Sequence, residues 1–408
     1  MSKTVTPLGS IPRAYEDVLR AHVAADRQMA FVAGPRQVGK TTTCRAAVPG
    51  ATYLNADVDE SKQLLLSGQK SVAEALGFTA GAARHPGIVF DELHKLRRWK
   101  SFLKGFFDLH SGVGPILVTG SSRLDVYRRG GDSLMGRYFL YHMHPLGVGE
   151  LARPTAREVD VLPPKRISDA DWDALRAFGG FPEPFVRRDV RFSRRWRQGR
   201  IAQLVREDLR DLTRFQDLAQ LEKLATILSE RSSQQLNYSA LAVDLLVSVD
   251  TIRRWIAALA SLHHGFLLRP WKKNVARALA KQPKWFASDW SGIEDPGARA
   301  ETLVACHLNK AVQGWTDLGL GRYELYYVRD KQKHEVDFLV VREKKPWLLV
   351  EVKSASERLS PDLARFQGQL GAPHAFQCVV ELPYVDVDVF ERTSPCVVPA
   401  RTLLSQLF

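Results

Sequence analysis

The chain has few cysteines and no long apolar run, and each shortage excludes a class of protein. Its four cysteines are spread over 408 residues without metal-type pairing, so a disulfide framework or a zinc module is not indicated. No stretch approaches the roughly 20 apolar residues of a membrane span, and the first residues carry no apolar core of a secretory signal. Internal repeats and low-complexity segments are also missing. We therefore expect an ordered cytoplasmic protein without a membrane segment.

Positive charge is abundant and unevenly distributed. The net charge is +13 and the isoelectric point about 9.6, which favours a polyanionic partner such as DNA. Residues 187–200, RRDVRFSRRWRQGR, carry seven arginines against one aspartate, and Phe192 and Trp196 are spaced to share one helical face. This helix either contacts the DNA backbone, with Arg194, Arg195 and Arg197 as candidates, or is a solvated helix that packs through its aromatic residues.

One short motif predicts nucleotide binding. Residues 31–43 read FVAGPRQVGKTTT and contain a complete G-x-x-x-x-G-K-T phosphate loop. An apolar run at 29–33 precedes it as a buried strand, and the residues after it can open a helix whose N-terminus favours phosphate. We expect ATP or GTP to contact the loop residues Gly34, Pro35, Arg36, Gln37, Val38, Gly39, Lys40, Thr41 and Thr42.

A second motif predicts that the bound nucleotide is hydrolysed. About fifty residues after the loop, the apolar strand 88–90 ends in Asp91 and Glu92. Thr41 and Asp91 are the expected Mg²⁺ ligands, and Glu92 is expected to polarise the attacking water. The alternative is a buried strand that stops at a solvated acidic turn.

A third strand, residues 116–119, leads into Gly120, Ser121 and Ser122. Because ligands of open α/β sheets bind at the carboxyl ends of the strands, Thr119 or Ser121 is a candidate sensor of the γ-phosphate. A plain Ser/Gly turn is the alternative.

The order of patterns predicts several regions. Strands near 29–33, 52–54, 88–90, 116–119 and 138–143 alternate with helices, which implies a mostly parallel sheet. Residues 150–165 look like a linker. Residues 236–271 read as helix, short turn, helix and strand, the pattern of a winged helix-turn-helix in which Arg253 and Arg254 begin the recognition helix. A helical hairpin used for packing or subunit contacts fits the same pattern.

Carboxylates recur near the end of the chain. Residues 335–341 and 347–353 are two β-rich runs joined by REKKP, a predicted hairpin. Alternation places Asp337 on one strand face, and Glu351 and Lys353 on one face of the other strand. Two carboxylates and a lysine at a sheet surface suit Mg²⁺-assisted phosphodiester hydrolysis. Solvated strand edges would give the same pattern.

Four segments in this order and spacing carry a resemblance: GPRQVGKT, VFDELHK, LVTGSSR and SLMGRYFLYHMHPL. The chain resembles bacterial and archaeal AAA-type ATPases that are paired with a C-terminal domain of unknown function, DUF4143. The resemblance implies Glu92 as the catalytic glutamate. It also implies Arg137 as an arginine finger acting in a neighbouring subunit, hence a homo-oligomer, with Arg123, Arg128 and Arg129 as competitors.

The D-x13-E-x-K spacing resembles the PD-(D/E)xK nuclease core, whose fold adds a glutamate from a preceding helix. Glu301, within ARAETLVACHL, matches that place, whereas Val336 stands where the name-giving proline would be. Such folds also persist as binding platforms without activity.

These inferences define the expected molecule. It is an α/β protein with a P-loop AAA-type parallel-sheet domain (1–150), a linker, helical and winged-helix region (151–270) and a nuclease-like α/β domain (271–408). We expect an ATP-hydrolysing, Mg²⁺-dependent ATPase that engages DNA, with a C-terminal domain that cuts or binds it. The alternatives are a switch or protein-remodelling ATPase whose C-terminal domain only binds a partner, and a nuclease gated by nucleotide.

Overall fold

The computed structural model describes residues 11–79, 85–120, 134–156, 158–209, 218–271 and 282–408. These residues form a parallel-sheet domain, then a helical region with a two-stranded hairpin, then a mixed-sheet domain. The predicted α/β fold class is confirmed. Among the described residues, no helix is both long and apolar enough to cross a membrane.

The strands are β1 Met29–Ala33, β2 Thr52–Asn55, β3 Ile88–Asp91, β4 Ile116–Gly120, β5 Tyr138–His142, β6 Gly265–Leu268, β7 Lys284–Ala287, β8 Tyr323–Arg329, β9 Glu335–Arg342, β10 Lys345–Lys353, β11 His374–Val379 and β12 Cys396–Pro399. The helices are α1 Ala14–Ala25, α2 Lys40–Ala47, α3 Asp59–Leu66, α4 Gln69–Ala75, α5 Trp99–His110, α6 Val148–Ala152, α7 Asp169–Phe178, α8 Pro182–Arg187, α9 Val190–Gln203, α10 Leu218–Glu230, α11 Tyr238–Asp244, α12 Val249–Ser261, α13 Pro296–Asp317, α14 Pro361–Leu370 and α15 Ala400–Gln406. Short helical turns cover Leu93–Lys95, Leu204–Leu209 and Val389–Glu391.

The first sheet has the order β2-β3-β4-β1-β5, and every neighbouring pair is parallel. Strands β1, β3 and β4 are mostly apolar and are buried along their whole length, as parallel strands covered by helices must be. The register sets Asp91 beside Thr119 and Ala33 beside Gly120. The carboxyl ends of β1, β3 and β4 therefore meet at one edge of the sheet.

The middle region contains the predicted helix-turn-helix and wing. Helices α11 and α12 are joined by a short turn, and the Ser248 side chain caps α12 by accepting the Thr251 N–H at 3.1 Å. Strands β6 and β7 pair antiparallel as a hairpin, which crosses the expected boundary at residue 270. Leu221, Leu224 and Trp255 belong to a separate apolar core of this region.

The last domain is built on the mixed sheet β12-β11-β10-β9-β8. Strands β8, β9 and β10 are antiparallel, whereas β10, β11 and β12 are parallel. Glu343 and Lys344, with φ of 48° and 64°, form the predicted tight turn between β9 and β10. The long helix α13 packs on this sheet and on β5 of the first sheet.

The first and last domains share one apolar core. It runs from Tyr15 on α1 through Trp290 to Leu404 on α15 and Phe408. Polar contacts cross the same junction, because a His142 ring nitrogen lies 2.9 Å from an Asp317 carboxylate oxygen and a His144 ring nitrogen 2.7 Å from the Gln313 amide oxygen. Residues far apart in sequence are thus packed into one body.

Candidate nucleotide site and carboxylate cluster

The phosphate loop connects β1 to α2 and has the backbone that its glycines allow. Gly39 (φ 99°) and Gln37 (φ 62°) are both left-handed, which turns successive N–H groups towards one side. A Cβ on Gly34 would lie 2.2 Å from the Met143 carbonyl oxygen, so only glycine fits there. The sequence GPRQVGKT therefore folds as a concave loop at the carboxyl edge of the sheet.

Lys40 is held inside this loop. Its side chain is buried, and its ammonium donates to the carbonyl oxygens of Gly34 (2.9 Å) and Pro35 (2.8 Å). Burial lowers the pKa of Lys40, while the negative charges of Glu92 and Asp91 oppose that shift. The ammonium is thus positioned where the loop would receive phosphate oxygens.

Asp91, at the end of β3, collects three hydroxyl donors. The Thr41 hydroxyl lies 3.1 Å from one of its carboxylate oxygens, and the hydroxyls of Tyr53 and Thr119 also donate to the carboxylate. Burial raises the pKa of Asp91, and the bond from Thr119 opposes this most. Thr41 and Asp91 are adjacent oxygen donors of the kind that would hold Mg²⁺.

Glu92 has the features expected of the residue that polarises water. It adopts a left-handed backbone (φ 53°), which is uncommon for a side chain of this type and is found disproportionately at functional sites. Its buried Oε2 accepts no hydrogen bond among the described residues, although His94 Nε2 lies 3.5 Å away. A buried carboxylate oxygen without a donor can accept a proton from a water in the cavity.

These groups line a cavity of about 580 Å³, within the range of small-molecule sites. Arg36, Lys40, Thr41, Asp91 and Glu92 form one wall. Residues just before and on α1, together with α8, add Ile11, Arg13, Glu16, Pro182, Glu183 and Val186 to the lining. The middle region therefore contributes directly to the walls of the nucleotide cavity.

The remaining predicted catalytic residues are placed differently. Thr119 is buried beside Asp91 and bonds to it. Arg137 precedes β5 at the amino ends of the strands, whereas the phosphate loop lies at their carboxyl ends. Its guanidinium forms a two-pronged ion pair with Asp108 at 2.7 and 3.0 Å. Arg137 is thus remote from its own nucleotide cavity. Ser121, Arg123, Arg128 and Arg129 lie outside the described residues.

The structure also contains a buried ionic network beside the phosphate loop, which the sequence does not predict. Glu150 accepts bonds from Arg13 Nε (2.8 Å), Arg13 Nη2 (3.1 Å) and the Ala14 N–H (2.9 Å), and its carboxylate also pairs with the Lys310 ammonium. Burial alone would raise the pKa of Glu150, but the two cations lower it to about 2. Arg13 Nη1 also donates to the Val38 carbonyl of the phosphate loop at 2.6 Å. No local motif marks these residues, because each lies on a different element.

The C-terminal sheet brings the predicted carboxylates together. Glu301 on α13, Asp337 on β9, and Glu351 and Lys353 on β10 form a cluster with Lys284 of β7. The Lys353 ammonium bonds Glu351 at 2.8 Å, and the Val352 N–H donates to Asp337 at 2.8 Å. Within the described part of the chain, no three His, Cys, Asp or Glu side chains are arranged to hold a metal ion. The Lys284 ammonium lies against Glu301 and Asp337, where the nuclease resemblance implies a divalent cation.

The arginines of residues 187–200, at the end of α8 and on α9, divide into two groups. Arg187 pairs with Glu183 and Arg188 with Asp171, while Arg200 stacks on the Phe181 ring, 4.0 Å from its centroid. Arg197 is half-buried and donates to Ser291 at 3.1 Å. Arg191, Arg194 and Arg195 are exposed and have no ion-pair partner among the described residues. On α12, Arg253 and Arg254 are exposed as well.

Comparison with protein families agrees with this architecture. Residues 26–152 match an AAA domain, residues 169–293 match Domain of unknown function (DUF8612), and residues 296–393 match Domain of unknown function (DUF4143). The chain therefore contains an AAA-type P-loop ATPase domain followed, after a middle region, by a C-terminal DUF4143 domain. The resemblance inferred from sequence is confirmed.

Individual proteins resemble the chain over most of its length. An uncharacterized protein of Mycobacterium tuberculosis and one of Mycobacterium bovis are each 26% identical over 343 residues, which covers 82% of this chain and 71% of each relative. Among solved structures, the Walker-type ATPase of Pyrococcus abyssi is 13% identical with a TM-score of 0.40, covering 69% of this chain and 97% of that one. AMPPCP-bound DnaA of Aquifex aeolicus is 12% identical with a TM-score of 0.32, covering 63% and 93%.

Proposed function

We propose that this protein hydrolyses ATP with Mg²⁺ in the cavity between the phosphate loop and β3. The observation that carries the proposal is the convergence of Lys40, Thr41, Asp91 and Glu92 on one cavity of nucleotide size. The loop N–H groups and Lys40 bind the phosphates, and Thr41 and Asp91 hold Mg²⁺, which would neutralise charge on the transferred phosphoryl group. Glu92 orients the attacking water and accepts its proton.

Two substitutions with matched controls test this reaction. Lys40→Ala removes the main side-chain charge on the phosphates and should abolish nucleotide binding or turnover. Glu92→Gln should retain ATP binding but lose hydrolysis, because an amide cannot accept the proton of water. The exposed residues Lys62 and Glu60 supply the controls Lys62→Ala and Glu60→Gln. Turnover of the Lys40 or Glu92 variant at the rate of its control would refute the assigned roles.

The proposal extends to DNA through the exposed arginines of α9. Arg191, Arg194 and Arg195 are solvent-facing and unpaired in the described part of the chain, which suits contacts with phosphates rather than internal packing. Replacing the three with glutamine should weaken DNA binding at all sequences and flatten its salt dependence, by about 0.7–0.9 in log–log slope for each phosphate that an arginine no longer neutralises. The control is Arg187→Gln with Arg188→Gln, since both residues pair with carboxylates. An unchanged slope in the triple variant would assign α9 to a solvated surface.

A protein partner is the second candidate, and the helix-turn-helix favours it. Val243 and Leu246 are 73% and 92% exposed, and they place apolar side chains beside the turn that leads into α12. An exposed apolar pair of this kind suits a protein contact better than a phosphate backbone. DNA should stimulate ATP hydrolysis if the chain is a DNA-dependent ATPase. Hydrolysis that is indifferent to single-stranded, duplex and branched DNA would favour the switch or remodelling ATPase.

We further propose that the active ATPase is a homo-oligomer. The support is the position of Arg137 before the amino end of β5, on the side of the sheet opposite its own phosphate loop, where it cannot contact its own nucleotide. The Asp108 pair would hold Arg137 until that neighbour docks. The chain would then have three parts, with strands β6 and β7 belonging to the middle part.

A further inference from the structure

Lys284 occupies the centre of the C-terminal carboxylate cluster. It begins β7, the second strand of the wing, and its side chain is only 7% exposed. Its ammonium lies 2.9 Å from Glu301 Oε1, 2.7 Å from Glu335 Oε1 and 3.9 Å from Asp337 Oδ1. One cation from the wing thus contacts a helix and a strand of the last domain.

The surrounding carboxylates balance the charge of this ammonium. Glu301, Glu335 and Asp337 lie around it on the described elements of the last domain. A buried ammonium with direct carboxylate partners is costly to remove without leaving the acids unpaired. Lys284 is therefore a fixed component of the cluster rather than a surface side chain that happens to point inward.

Most of these carboxylates already accept hydrogen bonds or ion pairs from other groups of the chain. Glu335 also pairs with Arg329 at 3.1 Å, Asp337 Oδ2 accepts the Val352 N–H, and Glu351 Oε1 accepts the Lys353 ammonium. Glu351 Oε2 is buried without a hydrogen-bond donor among the described residues, and a single such oxygen is not a metal site. Few oxygens of these carboxylates are thus left without a donor from the described residues, and a hard divalent cation needs several such oxygens.

Hydrogen bonds next to the cluster join the same elements. The Ser232 hydroxyl lies 2.8 Å from the Thr302 hydroxyl of α13 and accepts the Ala287 N–H of β7 at 3.0 Å. The Tyr327 hydroxyl donates to the Gln282 carbonyl at 2.9 Å. The Lys284 ion pairs therefore lie beside several hydrogen bonds between the wing and the last domain.

We propose that the Lys284 ammonium is the permanent cation of this nuclease-like cluster and takes the place of a divalent metal. The DUF4143 domain then binds no metal at Glu301, Asp337 and Glu351 and does not cleave phosphodiesters there. The cluster serves as an ionic joint that fixes the wing to α13 and β9.

Mn²⁺ binding to the nucleotide-free, full-length protein tests this assignment directly. All proteins carry Asp91→Asn, which removes the carboxylate expected to bind metal at the phosphate loop. Binding is followed by loss of the free Mn²⁺ electron paramagnetic resonance signal. We expect Asp337→Asn to leave the titration unchanged, because the cluster holds no metal to lose. A Mn²⁺ site that disappears with Asp337→Asn would overturn the proposal.

Lys284→Met removes the ammonium while keeping the length and apolar stem of the side chain. It should create a Mn²⁺ site that a further Asp337→Asn abolishes. The matched control is Lys353→Met, which removes the neighbouring ammonium but leaves Lys284 and should create none. A folded Lys284→Met protein that gains no Mn²⁺ site would also overturn the proposal. If Lys284→Met does not fold, the Mn²⁺ titrations of the Asp91→Asn protein with and without Asp337→Asn still test the proposal.

Cleavage assays supply an independent readout. With Mg²⁺ or Mn²⁺, and with or without ATP, the unmodified protein should leave plasmid DNA and single-stranded DNA and RNA intact. Metal-dependent cleavage that Asp337→Asn abolishes would refute the proposal. Because the ATPase reaction uses a different cavity, this outcome would leave the proposed hydrolysis of ATP untouched.

Discussion

Replacement of Glu150 by glutamine tests whether the buried network behind the phosphate loop stabilises the junction of the first and last domains. The glutamate is 1% exposed and is the shared anion of Arg13 and Lys310. Glutamine keeps the shape but removes the charge, and its amide N–H groups face other donors. Removing one partner of a buried ion pair typically costs about 3–5 kcal/mol. We expect a loss of this size in the free energy of the first unfolding transition.

Urea unfolding followed by intrinsic tryptophan fluorescence measures this loss, with Glu74→Gln as the control. Glu74 is an exposed glutamate 3.7 Å from Lys70, and such surface pairs contribute about 0–1 kcal/mol. Adding Lys310→Met to Glu150→Gln should recover part of the stability, because it removes one of the two uncompensated cations. If Glu150→Gln costs no more than Glu74→Gln, the network does not stabilise the junction.

Glu150→Gln should also weaken nucleotide binding. Arg13 bonds both Glu150 and the Val38 carbonyl, so loss of the anion frees Arg13 to shift the loop. We expect weaker binding of a fluorescent ATP analogue by Glu150→Gln under conditions where the protein remains folded. Unchanged affinity in a destabilised protein would show that the junction and the loop are energetically independent.

Three further predictions concern the loop, the pH dependence and the oligomer. Gly34→Ala should abolish ATP binding in a folded protein, because its Cβ would collide with the Met143 carbonyl at 2.2 Å; normal binding would contradict the observed loop geometry. Burial lowers the pKa of three histidines, His144 to about 3 and His264 and His307 to about 4. In the unfolded chain these histidines have a pKa of about 6.5, so below that pH the unfolded chain binds protons that the folded protein does not. The contribution of the histidines to stability should therefore be full above pH 6.5 and decrease as the pH falls towards 4. A melting temperature that does not change across this range would contradict this prediction. Mixing Arg137→Ala with Lys40→Ala chains should restore some ATPase activity if the arginine acts in a neighbouring subunit, and concentration-independent turnover by a strict monomer would exclude this.

The nucleotide site was accessible to sequence reasoning because its signals are local. A buried apolar strand, a glycine loop and a helix follow one another within residues 29–47, and their backbone geometry is fixed by neighbours in sequence. The strand that ends in Asp91 carries the same kind of contiguous signal. The observed parallel sheet follows from the regular alternation of strands and helices, so that part of the fold was predicted nearly residue by residue.

The residues that sequence reasoning missed are those that meet only in three dimensions. Lys284 stands in the segment KQPKWF, which resembles an ordinary basic surface, and its partners lie on α13 and β9. Arg13 and Lys310 likewise have no local pattern that distinguishes them from solvated charges. The arginine run illustrates the same limit, since only the structure separates exposed Arg194 from Arg200, which stacks on Phe181.

The core shared by the first and last domains has a consequence for how the protein is made. The apolar faces of α1 and β5 are completed by α13 and α15, which leave the ribosome long after the phosphate loop. At roughly 5–20 residues per second, the about 250 residues between α6 and α15 take on the order of tens of seconds to synthesise. During that interval the nascent ATPase domain exposes an unpaired hydrophobic face. An ATPase domain expressed alone would keep this face exposed, and it should therefore aggregate.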